Sequence, residues 1–139
     1  MKTITLCLLR LVLSLLFALS GIIKILDPGR FFLDVKAFEL LNEPAAYAAA
    51  LFLPCFEIIA ACCLWVPGLR RGAALLLALS TLSFIAALSI TRARGLDIDC
   101  GCFGEWLVFP SFWAHIGFNT FLTLGATVLL CKKCTGKAL

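Results

Sequence analysis

The sequence contains little charge for its length. Charged residues make up 14% of its 139 residues and hydrophobic residues 63%, and the mean hydropathy is +1.07. A soluble domain of this size could not bury so much apolar surface, so the excess must face lipid. The formal net charge of +4 is small, and the basic residues are not clustered on one soluble face. Nucleic-acid binding is therefore not expected.

Histidine is also scarce, because His115 is the only one in the chain. A structural metal site needs a full tetrahedral set of ligands, and the most polar loop supplies only Cys100 and Cys102 in suitable spacing. No metal is expected there. The chain shows no internal repeat, and its length predicts one domain, residues 1–139.

What the chain does contain is four long apolar runs, at residues 4–23, 44–66, 72–91 and 112–131. Each has about 20 residues, which is enough to cross a hydrocarbon core of about 30 Å. Backbone polar groups in lipid must be satisfied within their own segment, so these runs should be helices. The sequence therefore predicts an all-α integral membrane protein, a four-transmembrane-helix bundle in contact with the lipid bilayer.

The segments between these runs contain clear helix breakers. Asp27-Pro28-Gly29 should end the first helix, and residues 67–72 form a tight basic turn. Residues 28–43 mix aromatic and charged side chains, which favours a short helix in the membrane interface. A plain connector is equally compatible with that segment. Residues 92–111 form the loop that contains Cys100-Gly101-Cys102.

The distribution of Lys and Arg predicts an orientation. Four spans place both termini and the second turn on one side, which carries six basic residues against five on the other. Since cytoplasmic loops are enriched in Lys and Arg, the termini should be cytoplasmic and the Cys-Gly-Cys loop outside.

Arg10 and Glu57 are the two ionisable residues well inside predicted helices. Charges at membrane depth usually face the bundle interior with a partner. Counted from the predicted cytoplasmic ends, the two lie at similar depth, so we predict an Arg10–Glu57 ion pair. Its role would be to fix helix register or to form a proton or quinone-headgroup site, for which Lys24 is the third candidate residue. Lys24 and Asp27 are a weaker pair, which is more typical of interfacial anchoring.

Cys100 and Cys102 are the candidate reactive residues. A disulfide across one intervening residue closes a small strained ring, and Gly101 best adopts the backbone angles that the ring needs. Strain favours the dithiol and makes the disulfide an oxidant, which suits a redox catalyst. His115 should lie about one turn into the fourth span, where it either relays a proton or packs among aromatic side chains.

The other six cysteines occupy or adjoin apolar runs. Cys7 and Cys55 are interpreted as small, buried apolar residues. Cys62, Cys63, Cys131 and Cys134 fall toward the predicted cytoplasmic side, and Cys131-Lys132-Lys133-Cys134 has the spacing of a redox or metal pair. The cytosol keeps such thiols reduced, but a metal-binding inner cluster remains an alternative.

Three motifs resemble those of the MauE/DoxX-like redox-associated membrane proteins: Gly21-Ile22-Ile23-Lys24-Ile25-Leu26-Asp27-Pro28, Pro54 with Glu57, and Asp99-Cys100-Gly101-Cys102-Phe103-Gly104. The resemblance implies a four-helix membrane fold and thiol–disulfide chemistry at the outer face of the bacterial cytoplasmic membrane. It also implies a thioredoxin-like periplasmic partner and, for one member, maturation of a disulfide-rich exported enzyme subunit. The family's Cys-x-Cys, glutamate and lysine correspond to Cys100 and Cys102, Glu57 and Lys24.

The leading hypothesis is therefore a membrane thiol–disulfide oxidoreductase whose Cys100 and Cys102 exchange with a thioredoxin-like protein. Electrons that leave a dithiol need an acceptor, and a membrane quinone would serve. Two alternatives remain open. One is a transporter of thiophilic metal ions such as mercury or copper, which several thiolates would bind in turn. The other is a non-catalytic assembly partner that uses the cysteines as a tether.

Overall fold

The computed structural model describes residues 2–95 and 112–131, and within these ranges it contains five α-helices and no strand. The helices are α1 (Lys2–Leu26), α2 (Pro28–Ala37), α3 (Glu43–Cys63), α4 (Arg70–Ala93) and α5 (Phe112–Cys131). Four of them are long and apolar enough to cross a membrane: Ile4–Leu26, Glu43–Cys63, Arg70–Ala93 and Phe112–Cys131. The predicted all-α class with four spans is confirmed.

The helix ends follow from local chemistry. Asp27 caps α2, because its Oδ1 accepts a hydrogen bond of 3.0 Å from the backbone N–H of Arg30. Asn42 caps α3 in the same way, accepting from the N–H of Ala45 at 3.1 Å. Such caps satisfy amide groups that have no partner within the helix. Each is followed closely by a proline, which tolerates the first helical turn.

The end of α3 differs from the expected boundary. We expected this span to reach Val66, but α3 ends at Cys63. Beyond Cys63 the chain tightens, because the N–H groups of Trp65 and Val66 donate to the carbonyls three residues back, and Pro67 has no N–H with which to continue the helix. The side chain of Arg70 then donates from Nε to the Leu64 carbonyl at 3.2 Å, which satisfies an acceptor at the helix end.

The spanning helices pack as two main pairs, α1 with α3 and α4 with α5, and α2 packs on α3. Their common core contains many alanines, whose small side chains let helix backbones approach closely. Buried core residues from all four spanning helices are Leu13, Phe17, Ala60, Ala61, Leu64, Ala73, Ala74, Leu77, Ala78, Leu122, Ala126 and Leu129.

Large apolar side chains cover the outside of this bundle. Leu8, Phe52, Leu76 and Phe121 are each more than half exposed. In each spanning helix, at most 39% of the most apolar 18-residue stretch is buried within the protein. A surface of this composition fits lipid and not water, so the protein is a multi-pass membrane protein.

The short helix α2 is tied to the end of α4. Phe38, directly after α2, packs in a small buried cluster with Leu88 of α4. The guanidinium of Arg94 donates to the Glu39 carbonyl at 3.2 Å and lies 3.5 Å from the Glu39 carboxylate. These contacts place the C-terminal ends of α1 and α4 at the same end of the bundle. We call it the loop end, because the chain leaves α4 at this end and continues through residues 96–111 to α5.

Candidate functional site

A buried ion pair joins α1 to α3 in the interior of the bundle. Nζ of Lys24 lies 2.9 Å from both carboxylate oxygens of Glu57, and both residues are only 3% exposed. Ser20 lies one helical turn before Lys24 on the same face of α1. Its hydroxyl donates to Glu57 Oε2 at 3.3 Å. The carboxylate is therefore held by two side chains of α1.

Two aromatic rings close over the ammonium group of Lys24. Its Nζ lies 4.9 Å from the ring centroid of Phe31 in α2 and 5.1 Å from that of Phe84 in α4. The negative face of an aromatic ring attracts a cation. Residues of four helices thus form one charged cluster, and the faces of the two rings lie against its cation.

A close approach of two helices allows this pair to form. Gly21 has no side chain, and a Cβ placed there would lie 2.8 Å from the Pro54 carbonyl oxygen and 2.7 Å from Ile58 Cγ1. Those distances are shorter than real Cβ contacts. Gly21 is therefore the residue that lets the backbones of α1 and α3 come close enough for Lys24 to reach Glu57.

A cavity of about 20 Å³ lies beside the ion pair. This volume is about that of a single water molecule, and a buried water needs two to four polar partners. The polar residues of its wall are Ser20, Lys24, Glu57, Thr81 and Asn119. The cavity therefore has both the size and the polar groups to hold one water in the core.

One hydrogen bond joins the α4 side of this cavity to α5, and a second lies within α5. The Thr81 and Thr123 hydroxyl oxygens are 2.7 Å apart, and Asn119 Nδ2 donates to the His115 carbonyl at 3.0 Å. His115 itself is buried in the first turn of α5 but is not among the residues that line the cavity. Its relation to Cys100 and Cys102 lies outside the described residues, as do those two cysteines themselves.

The predicted Arg10–Glu57 ion pair is wrong, because Glu57 pairs with Lys24. Arg10 lies fourteen residues before Lys24 on α1, which is about 21 Å along the helix. Its guanidinium lies 5.6 Å from the ring centroid of Trp65 instead. The depth argument failed because it assumed level helix ends, whereas α1 continues past the end of α3.

The predicted Lys24–Asp27 interfacial pair is also wrong. Lys24 is buried against Glu57, and Asp27 is exposed and caps α2. The three residues proposed for a proton or quinone site therefore separate into two places. Glu57 and Lys24 lie together in the interior of the bundle, and Arg10 lies with Trp65 toward the end opposite the loop end.

The cysteines of the described helices lie mostly on the outer surface. Cys7, Cys55, Cys62 and Cys131 are exposed and Cys63 is half-buried, all as free thiols. The interpretation of Cys7 and Cys55 as buried residues is wrong, since both face outward. Among residues 2–95 and 112–131, no three His, Cys, Asp or Glu side chains come together as metal ligands. Cys134 lies outside the described residues.

Sequence reasoning missed Ser20, Thr81 and Asn119 as members of the site. Each is a polar residue within an apolar run, and a polar side chain at membrane depth usually faces the bundle interior. The spacing of Ser20 and Lys24, one helical turn apart, was a usable signal. No comparable spacing connects Thr81 to Asn119, because they lie on different helices.

The chain is similar in sequence to one known protein family. The family model for methylamine utilisation protein MauE matches residues 2–132. A MauE of Paracoccus denitrificans is 38% identical over 116 residues, which cover 83% of this chain and 62% of that protein. One from Methylorubrum extorquens is 35% identical over 118 residues, covering 84% and 63%. The chain thus spans less than two thirds of these two relatives. No solved structure matches significantly.

Proposed function

The chain belongs to the family of methylamine utilisation protein MauE, and from that premise we propose that it is a membrane thiol–disulfide oxidoreductase. Cys100 and Cys102 are its reactive pair and exchange with a thioredoxin-like protein at the periplasmic face of the bacterial inner membrane. The process it serves is the maturation of disulfide-containing exported proteins for methylamine utilisation. The relatives' names motivate the link to methylamine utilisation.

The proposed chemistry has two balanced steps. The Cys100–Cys102 disulfide accepts two electrons and two protons from a partner dithiol, through a mixed disulfide. The partner leaves as a disulfide, and the pair becomes a dithiol. The dithiol then returns two electrons and two protons to a membrane quinone, which becomes a quinol. The quinone acts as a second substrate, and the disulfide is restored.

The buried Lys24–Glu57 pair is the observation that best supports this proposal. It lies in the interior of the spanning bundle, at the contact between α1 and α3. A charged pair inside a membrane protein is costly and commonly marks a functional site. Together with Ser20 and the polar cavity, it supplies groups that can exchange protons in the interior of the bundle.

Differential alkylation with mass readout tests the proposal. In membranes, Cys100 and Cys102 should resist alkylation until a reductant or a reduced thioredoxin-like protein is added. Cys100→Ser and Cys102→Ser should each abolish this protection at the remaining cysteine. Cys55→Ser is the matched control, because Cys55 lies on the outer surface of α3, and it should leave the protection unchanged.

The metal-transporter alternative makes the opposite prediction for the same sample. Both thiols of the loop would stay free in membranes, and a thiophilic metal would co-purify in stoichiometric amount. That result would replace the oxidoreductase proposal. No observation among the described residues favours it, so it remains the second candidate.

A further inference from the structure

A groove runs between α3 and α4 on the lipid-facing side of the bundle. It consists of two adjoining hollows of about 260 and 300 Å³, which share Leu53, Ser80 and Ser83. One hollow reaches Glu57 and the other reaches Phe38, just after α2. Volumes of this order approach those of small-molecule sites, and the walls are otherwise almost entirely apolar.

Ser80 differs from the other hydroxyl residues of α4 around it. Ser83 donates to the Leu79 carbonyl at 2.8 Å, and Ser89 donates to the Ile85 carbonyl at 2.7 Å. This bond to the preceding turn is the usual way to satisfy a serine in a membrane helix. The Ser80 hydroxyl oxygen is buried, yet it has no hydrogen-bond partner among residues 2–95 and 112–131.

A buried hydroxyl group without a partner is costly, and a ligand acceptor in the groove would remove that cost. Ser80 lies ten residues from the start of α4 and thirteen from its end, about 15 and 20 Å along the helix. That position is near the middle of a span. The ester groups of phospholipids lie at the membrane surface, about 15 Å away in a hydrocarbon core of about 30 Å. An ordinary lipid therefore offers only its hydrocarbon tail at this depth.

We propose that this groove binds the head group of a lipophilic quinone, with the Ser80 side chain turned toward the groove so that its hydroxyl donates a hydrogen bond to a ring carbonyl oxygen. A quinone is uncharged, enters from the hydrocarbon core and carries an acceptor at the depth of Ser80. This inference rests on the proposed function, and it locates the binding site for the second substrate.

Glu57 connects the groove to the core. It lines the groove on one side and the cavity beside Lys24 on the other. Its charge is balanced by Lys24 at 2.9 Å, so a neutral ligand meets a paired carboxylate. The ligand site and the buried ion pair therefore share one residue, which gives protons of the core a short path to the groove.

Calorimetric titration of the purified protein in non-ionic detergent with a short-chain alkyl benzoquinone tests this proposal. An alkylbenzene with the same tail, which has no carbonyl group, is the control ligand. Ser80→Ala should weaken quinone binding about three- to tenfold, the size of one hydrogen bond, and should leave alkylbenzene binding unchanged. Since the buried Ser80 hydroxyl has no hydrogen-bond partner within the described protein, the variant should unfold at the same temperature as the natural chain or at a higher one.

Two further variants complete the test. Ser89→Ala is the matched control, because it removes a hydroxyl from the same helix outside the groove; it should bind quinone normally. Ala49→Phe fills the groove beside Leu53 and should reduce binding of both ligands. Equal quinone affinity for Ser80→Ala and the natural chain would overturn the proposal and leave a groove for lipid tails. Equal losses in Ser80→Ala and Ser89→Ala would overturn it as well.

A failure of quinone binding can be distinguished from a failure of the proposed thiol–disulfide exchange. If quinone binding is absent while Cys100 and Cys102 still exchange with a partner dithiol, the groove assignment fails and the oxidoreductase stands with another acceptor. If quinone binds through Ser80 while the two thiols never form a disulfide, the groove stands and the oxidoreductase fails.

Discussion

Lys24 and Glu57 are 33 residues apart in the sequence, yet the ammonium group of one lies 2.9 Å from both carboxylate oxygens of the other. The pair is almost completely buried and joins two spanning helices. Removing one partner of such a pair leaves a charge without compensation in a medium of low dielectric constant. The stability of the bundle should therefore depend on both residues together.

Glu57→Gln should lower the free energy of unfolding by about 3–5 kcal/mol, because Lys24 would keep its charge without a counter-ion. Unfolding of the purified protein in detergent measures this. Glu43→Gln is the matched control, since Glu43 pairs with Lys36 at 3.0 Å on the surface. It should cost less than about 1 kcal/mol. If Glu57→Gln kept its stability but lost thiol exchange, Glu57 would instead act in the reaction.

Double-mutant cycles should distinguish the two cations of α1. Lys24→Met and Glu57→Gln should be coupled by roughly 0.5–3 kcal/mol, as residues in direct contact are. Arg10→Met and Glu57→Gln should be additive within about 0.5 kcal/mol, because the two sites lie far apart. Coupling of Arg10 to Trp65, whose ring lies 5.6 Å away, is the positive control. A strong Arg10–Glu57 coupling would contradict the observed arrangement.

Gly21→Ala should destabilise the protein by about 1–3 kcal/mol, the usual cost of forcing atoms into a packed contact. The new methyl group would meet the Pro54 carbonyl at 2.8 Å, and a backbone atom cannot move aside cheaply. Gly117→Ala is the control in another spanning helix, because nothing lies within 4 Å of its added Cβ. It should be neutral or stabilise by up to about 1 kcal/mol. Similar effects of both variants would refute the close approach of α1 and α3.

Replacing each outward cysteine by alanine should change stability by less than about 0.5 kcal/mol, because surface positions make few specific contacts. The residues are Cys7, Cys55, Cys62 and Cys131. A small maleimide should modify Cys7, Cys62 and Cys131, which lie toward helix ends, faster than Cys55 in the middle of α3, because the reaction needs a thiolate and hydrocarbon disfavours charge. Protection of one of the first three from the reagent would indicate a contact with another molecule at that face.

The spanning helices were predictable from the sequence because their signal is local. A run of about 20 apolar residues is sufficient to specify a membrane helix. Breakers were equally local: the motif Asp27-Pro28-Gly29 ends α1 at Leu26 and starts α2 at Pro28. The ends of α1 and α3 each differ by three residues from the ends of the apolar runs: Leu26 against residue 23, and Cys63 against residue 66.

The partner of Glu57 could not be predicted in the same way, because the axial offset between α1 and α3 is set by tertiary packing. Ser14 receives a hydrogen bond from Trp65 Nε1 at 3.2 Å, so α1 extends well beyond the end of α3. The close approach at Gly21 brings Lys24, not Arg10, beside Glu57. Gly21 and the axial offset between α1 and α3 therefore determine that Lys24, not Arg10, is the cation beside Glu57.

The contacts between Arg94 and Glu39 have a mechanical consequence. Arg94 follows α4 directly, and the chain enters the segment of Cys100 and Cys102 shortly after it. Its guanidinium is held by both the carbonyl and the carboxylate of Glu39, which follows α2. Any displacement of α2 must either carry Arg94 with it or break both contacts. The short helix and the C-terminal end of α4 therefore move together for as long as these contacts hold.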